Sequence, residues 1–199
     1  MDKGVREPKQ QRSIEKKDRI IQAAYALFSE QGYYSTVTSD IAKRAGVSTG
    51  IVYGYFSDKR DILFYVLKIY IQETASPVMS YMNSLSEITS LDVTFNDLVA
   101  MAESMHKKNA NLHNILHSIA VVDEGINEEF LKLEKLITEA AAQKFLSLGF
   151  SHDRLEEKIH VAMNLIQSYA HEAIYDKHDY LDYEAMRREV VGLLVKLFS

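Results

Sequence analysis

The chain has no cysteine and only two prolines among its 199 residues. Without thiols, disulfides and thiolate metal sites are excluded, which fits a cytoplasmic protein. No apolar run approaches the roughly 18 residues that span a bilayer, and the charged start lacks a signal peptide's apolar stretch. A soluble, intracellular chain with no membrane partner is expected. GxSxG, P-loop, HExxH and strand-borne GxGxxG patterns are all missing, so the chain is not read as an enzyme and no cofactor is expected. No internal repeat or low-complexity tract appears. Helix-length periodic segments predict an all-α fold of about nine helices, and 47% hydrophobic residues suffice for a packed core.

Against these absences stands the stretch from Thr38 to Phe56, which reads as two short helices joined by a tight turn. Thr38 is positioned to cap the first helix, with Asp40 in its first turn, and Gly46 supplies the left-handed residue that ends it. Ser48 or Thr49 then caps the second. Ile41, Ala42, Ala45, Val47, Ile51 and Val52 form the apolar set expected to lock the pair together. The second helix keeps an outer face of Thr49, Gly50, Tyr53 and Gly54, short or polar groups suited to insertion into a DNA major groove. This is a helix-turn-helix pattern.

The segment resembles the DNA-binding domain of TetR-family transcriptional repressors. The resemblance rests on Asp40-Ile41-Ala42, Lys43-Arg44, Ala45-Gly46-Val47-Ser48, Tyr53-Gly54-Tyr55-Phe56 and Lys59, and covers about residues 15–75. Val37 stands where the family commonly has a capping Thr, shifting that role to Thr36 or Thr38, and Thr49 stands where many members carry Lys. The resemblance implies a ligand-responsive homodimer bound to a palindromic DNA operator. Base-edge contacts are expected from Ser39, Thr49, Gly50 and Tyr53, and phosphate contacts from Thr38, Lys43, Arg44, Tyr55 and Lys59. A helical enzyme, or a binding module that keeps the fold without DNA, is the competing reading.

Charge is unevenly spread. Residues 1–60 hold 11 Lys and Arg against 7 Asp and Glu, a balance of +4, while residues 61–199 balance at −9. A basic reading head attached to an acidic body fits nucleic-acid binding by the first part alone. Residues 1–12 read as a flexible arm whose Lys3, Arg6, Lys9 and Arg12 are available to DNA. Residues 13–60 read as the helix-turn-helix domain, opening with a helix from Ser13 to Gln31 that Gly32 stops. Residues 61–199 read as a helical ligand-binding and dimerisation domain. Ser57 is expected to cap a long connector helix, and Pro77 to end or kink it.

Further helices are expected near 91–107, 109–122, 126–148, 153–177 and 183–198. Asp92 or Thr94, Asn109 and Ser151 serve as starts, Gly125 as a separator and Gly149 as a stop. The last two helices carry more apolar surface than one core requires, so Leu155, Ile159, Ala162, Ile166, Ala170, Met186, Val190, Leu194 and Leu197 are expected to pair with a second copy. Met79, Tyr81, Met82, Met101, Met105, His106, His117, Met163 and Tyr169 mix adaptable thioethers with polar-tipped rings, as a pocket for a small, largely apolar effector would. His113 and His117 have the spacing of two helix-borne metal ligands, but without a firm third ligand no metal site is assigned.

Overall fold

A computed structural model describes residues 11–108 and 110–199; residues 1–10 of the expected 1–12 arm, with Lys3, Arg6 and Lys9, and the expected start at Asn109 lie outside the described residues, while Gln11 and Arg12 belong to the first helix and not to an arm. Among the described residues there are nine helices and no strand. They are α1 (Gln11–Gln31), α2 (Thr38–Ala45), α3 (Thr49–Tyr55), α4 (Lys59–Ser84), α5 (Leu91–Lys108), α6 (Ala110–Ala120), α7 (Glu124–Ser147), α8 (Leu155–Tyr175) and α9 (Tyr183–Phe198). Two compact units divide them: described residues through Ile71 with Asn111–Asn127, and Gln72–Ala110 with Glu128–Ser199.

In the first unit α1 buries Ile20, Ala24, Leu27 and Phe28, one apolar stripe at helical spacing. α1 packs on α2 and α3, and α2 packs on α3. Ile41, Ala42 and Ala45 of α2 are buried, the alanines being small enough for backbones to approach, and Val52 and Phe56 bury the inner side of α3 and its end. Gly32, at φ 87°, ends α1 where an L side chain would be strained. The unit also takes in α6: Asn111 Nδ2 donates to Ser29 O at 2.8 Å, and the Tyr70 hydroxyl meets His113 Nδ1 at 2.6 Å.

Several helix ends differ from expectation. α2 has Val37 as its N-cap, which has no side-chain acceptor, while Thr38 lies within the helix. Thr36 donates to Gly32 O, and it is Asp40 Oδ2 that accepts from Val37 N–H at 3.3 Å. The acceptor at the head of α4 is Asp58 rather than Ser57: Asp58 Oδ1 takes the Asp61 N–H at 2.7 Å. Ser90 O accepts from Thr94 N–H ahead of α5, so neither Asp92 nor Thr94 opens it. Arg154, at φ 50°, rather than Ser151, precedes α8. Gly125 lies inside α7; Asp123, whose Oδ1 accepts from Ile126 N–H at 3.2 Å, is the residue that opens that helix. Pro77 neither ends α4 nor starts a turn: the helix runs through it to Ser84, without the N–H that Pro lacks.

The second unit centres on α5, α8 and α9, which pack pairwise on one another. Phe95, Val99 and Ala102 of α5, Ala141 and Phe145 of α7, Ile159, Ile166 and Tyr169 of α8, and Val191, Leu194 and Phe198 of α9 share one core. Gly149, at φ 92°, ends α7, as expected. Asp182 caps α9, accepting from Glu184 N–H and Ala185 N–H.

Candidate nucleic-acid interface and ligand cavity

The turn between α2 and α3 follows from Gly46, whose φ of 67° and ψ of 39° lie in the left-handed region. Its N–H donates to Lys43 O and that of Val47 to Ala42 O, closing the end of α2. Ser48 then takes the N-cap position of α3 through its carbonyl, which accepts from Ile51 and Val52; its hydroxyl makes no cap bond.

Only Val52 of α3 is buried. Gly50, Tyr53 and Gly54 are exposed and Thr49 half-buried. Ile51 is exposed too, so it belongs to this outer face and not to the set that locks α2 and α3; Val52 and Phe56 do that work. A Cβ added at Gly54 meets nothing within 4 Å, and one at Gly50 meets only Ser48 Oγ at 4.0 Å. Gly inside a helix costs about 1 kcal/mol relative to Ala. Two such residues on a seven-residue helix, with no packing inside the chain that requires them, leave room for something outside it to approach the backbone.

Around this helix, Ser39 and Lys43 are exposed and Thr38 half-buried. Arg44 is exposed but forks onto Glu30, which holds that carboxyl below the usual range through the hydrogen bond. The Tyr55 hydroxyl meets Ser13 Oγ at 2.8 Å, so it orients α3 against α1. Lys59 turns inward: Nζ donates to Tyr33 O and Thr36 O, each at 2.8 Å, and lies 4.2 Å from the Tyr33 ring centroid. Burial lowers its pKa. The ammonium therefore fastens the α1–α2 loop. Tyr34, exposed like Val37 in that loop, is a surface aromatic that the sequence reading did not select.

The second unit holds an apolar cavity of about 90 Å³. Val78 and Met82 come from α4, Phe95, Leu98, Ala102 and Met105 from α5, and Ile137, Ala141 and Phe145 from α7. Ile159, Ala162, Met163, Ile166 and Gln167 come from α8 and Phe198 from α9. Of the residues expected in a pocket, Met82, Met105 and Met163 line it.

The others are elsewhere. The Tyr81 hydroxyl donates to Asp97, and the Tyr169 hydroxyl to Glu103 and Tyr183 O; burial, with the nearby carboxylate, pushes each phenol up to about 12. His106 is buried with Nδ1 2.8 Å from Ala102 O, its ring stacked on His171 at 6.2 Å. Burial pushes its pKa down. His117 belongs to the first unit, its ring 4.3 Å from that of His113. Met79 and Met101 are half-buried outside the lining. Gln167 was missed; a glutamine among apolar residues on one helical face was the available signal.

The stripe expected to meet a second copy is spent within the chain. Leu155, Ile159, Ala162, Ile166, Ala170, Val190 and Leu194 are buried in the second unit's own core, with Met186 and Leu197 packed against it. The apolar residues that α8 and α9 expose are Val161 and Leu193, each 54% accessible.

Residues 20–66 match the model of the bacterial regulatory proteins of the tetR family. Over 54 residues the chain is 59% identical to the HTH-type transcriptional regulator HbdR of Aromatoleum sp. (strain CIB), covering 27% of this chain and 24% of that protein. Over 122 residues it is 30% identical to the fatty acid metabolism regulator protein of Bacillus subtilis (strain 168), covering 61% of this chain and 58% of that one. The chain thus aligns with less than two thirds of either relative. The solved structure of the fatty acid degradation regulator FadR from Bacillus halodurans superposes with a TM-score of 0.64 at 24% identity, covering 95% of this chain and 97% of that one, which extends the shared fold well beyond the matched segment. The turn built on Gly46 thus lies inside the segment, residues 20–66, that matches the bacterial regulatory proteins of the tetR family.

Proposed function

We propose that the chain is a sequence-specific DNA-binding transcriptional regulator, a repressor that binds a palindromic operator as a homodimer and is released by a small, largely apolar ligand. The observation that carries the reading is the outer face of α3: Gly50 and Gly54, needed by no contact inside the chain, beside exposed Tyr53 and half-buried Thr49. In the major groove such a face lets the backbone come close while Thr and Tyr reach base edges. Ser39 joins them, and Thr38, Lys43, Arg44 and Tyr55 are the phosphate-side candidates, Arg44 by exchanging Glu30 for a phosphate. Residues 13–60 do the reading and residues 61–199 hold ligand and partner copy. Dimerisation uses the outward sides of α8 and α9, around Val161 and Leu193, since the previously expected stripe is internal.

The names of two relatives, regulators of fatty acid metabolism and degradation, support an acyl-type effector, as does a cavity whose lining is almost wholly aliphatic and aromatic. At about 90 Å³ the cavity is smaller than the roughly 150 Å³ void that accepts benzene in a protein core, so a ligand has to widen it. That requirement is what links binding to shape: the ligand prefers the widened state, and moving a population from 1:99 to 99:1 takes about 5.5 kcal/mol of such preference. α4, continuous from Lys59 to Ser84 and contributing Val78 and Met82 to the lining, is the proposed transmitter.

A salt-titrated gel shift on DNA upstream of the chain's own gene tests the reading. A sequence-dependent complex that weakens with salt is expected, and it should be lost on adding a fatty acyl compound. Equal, weak binding to all sequences would favour the module without DNA specificity.

A further inference from the structure

Among the described residues, Gln167 is the one lining the second-unit cavity whose side chain ends in a hydrogen-bonding group; the remainder of that lining is aliphatic, aromatic or thioether. Among the described residues its carboxamide has no hydrogen-bond partner. Nor does any described Lys, Arg, His, Asp or Glu line the cavity with it. We infer that this cavity selects ligands whose apolar body carries an uncharged polar end, an amide or ester carbonyl, which pairs with the Gln167 carboxamide. The inference rests on the reading of the cavity as the effector site.

Desolvation sets this selection. An ionised carboxylate or phosphate drawn into this lining gives up its water and finds no counter-ion, a cost that a single neutral amide does not offset. An uncharged carbonyl gives up far less and regains a hydrogen bond from Gln167 Nε2. A primary amide regains two, because the carboxamide offers a donor and an acceptor and turns to suit its partner. One helical turn further along α5 and α8 from Ala102 and Gln167 stand His106 and His171. His106 is buried with its pKa pushed down, so it stays neutral and does not supply the missing positive charge. Glu103, the nearest carboxylate in sequence to this end of the lining, is tied to Arg187 at 3.2 Å and to Tyr169 at 3.1 Å.

The test uses one chain length with three heads. Dodecanamide, methyl dodecanoate and dodecanoate are titrated into the full chain at about pH 8, with N-phenylnaphthylamine fluorescence reporting occupancy of the apolar cavity. The amide should bind about tenfold more tightly than the carboxylate, with the ester between them. In Gln167→Met, which keeps the length of the side chain, the amide should lose about tenfold while N-phenylnaphthylamine binds as before. Equal affinity for amide and carboxylate, or an unchanged amide-to-carboxylate ratio in Gln167→Met, overturns the inference and leaves the apolar site standing. Failure of every dodecyl compound and of N-phenylnaphthylamine to bind the unsubstituted chain overturns the effector reading itself, and this inference with it.

Discussion

Arg60 clasps Asp123 across 63 residues of sequence, Nε to Oδ2 at 2.5 Å and Nη2 to Oδ1 at 2.7 Å. The same carboxylate accepts Ile126 N–H at the head of α7. One side chain thus fixes the first turn of α4 and opens another helix within the first unit.

The Arg60 hydrogen bonds pull the Asp123 carboxyl down to about 2. A carboxyl depressed on folding stabilises the folded state above its ordinary pKa of 3.8, and that stabilisation is lost as pH falls through about 2. Arg60 is half exposed and the pair is screened by solvent, so what the substitution mainly removes is the cap, about 1 kcal/mol, together with the buried side of the carboxylate's bonds. Asp123→Ala should therefore cost about 1–2 kcal/mol in urea denaturation at neutral pH. The difference from the unsubstituted chain should shrink in acid between pH 3.8 and about 2.

Lys59 gives a sharper test, because its two possible jobs predict different readouts. Held by the carbonyls of Tyr33 and Thr36, it should stabilise the free protein. Lys59→Met leaves both carbonyls without their partner and should lower stability by about 1–3 kcal/mol in the absence of DNA. A substitution that leaves the melting temperature unchanged but reduces the salt dependence of DNA binding would return Lys59 to the phosphate contacts.

Pro77 inside α4 is exposed and supplies no N–H to the helix ladder. Pro77→Ala should raise stability by about 1–3 kcal/mol, read by thermal or urea unfolding. Destabilisation by this change would mean that α4 needs the break.

His106 sets a pH dependence of opposite chemistry to Asp123. Its pKa is lowered by burial, so the folded state resists protonation that the unfolded chain accepts near 6.5. Stability should be undiminished above 6.5, fall as pH drops below it, and level off beneath the lowered value. His106→Gln should flatten that part of the stability profile; an unaltered slope would assign it to other groups.

The helices were legible because their apolar spacing and their Gly32, Gly46 and Gly149 stops are local signals. What periodicity does not carry is the identity of the partner. Leu155, Ile159 and Leu194 announce a buried face equally whether it meets its own α5 or a second copy, and here it is the chain's own core. Ile51 looks internal by hydrophobicity, yet it is Val52 and Phe56 that are fully buried behind α3, while Ile51 faces outward. Asn111–Asn127 joins the first unit through contacts to Ser29 and Arg60 that lie tens of residues away. Cap positions failed where side chains with several options competed: Thr36 bonds back to Gly32 O, and Asp58 displaces Ser57. The pocket methionines were half right, since thioethers suit a cavity and an ordinary core alike. Gln167 stands among apolar residues on one face of α8, a local signal, but only the packing of α4, α5, α7 and α9 around that face makes it part of a cavity lining.

Whether the outer face of α3 reads DNA is decided by quantitative binding of Tyr53→Ala to the operator and to scrambled DNA of equal length. A loss of about 1–3 kcal/mol on the operator with little change on scrambled sequence is expected, the signature of a base-edge contact. Equal losses on both DNAs, or an operator preference that survives intact, would contradict it.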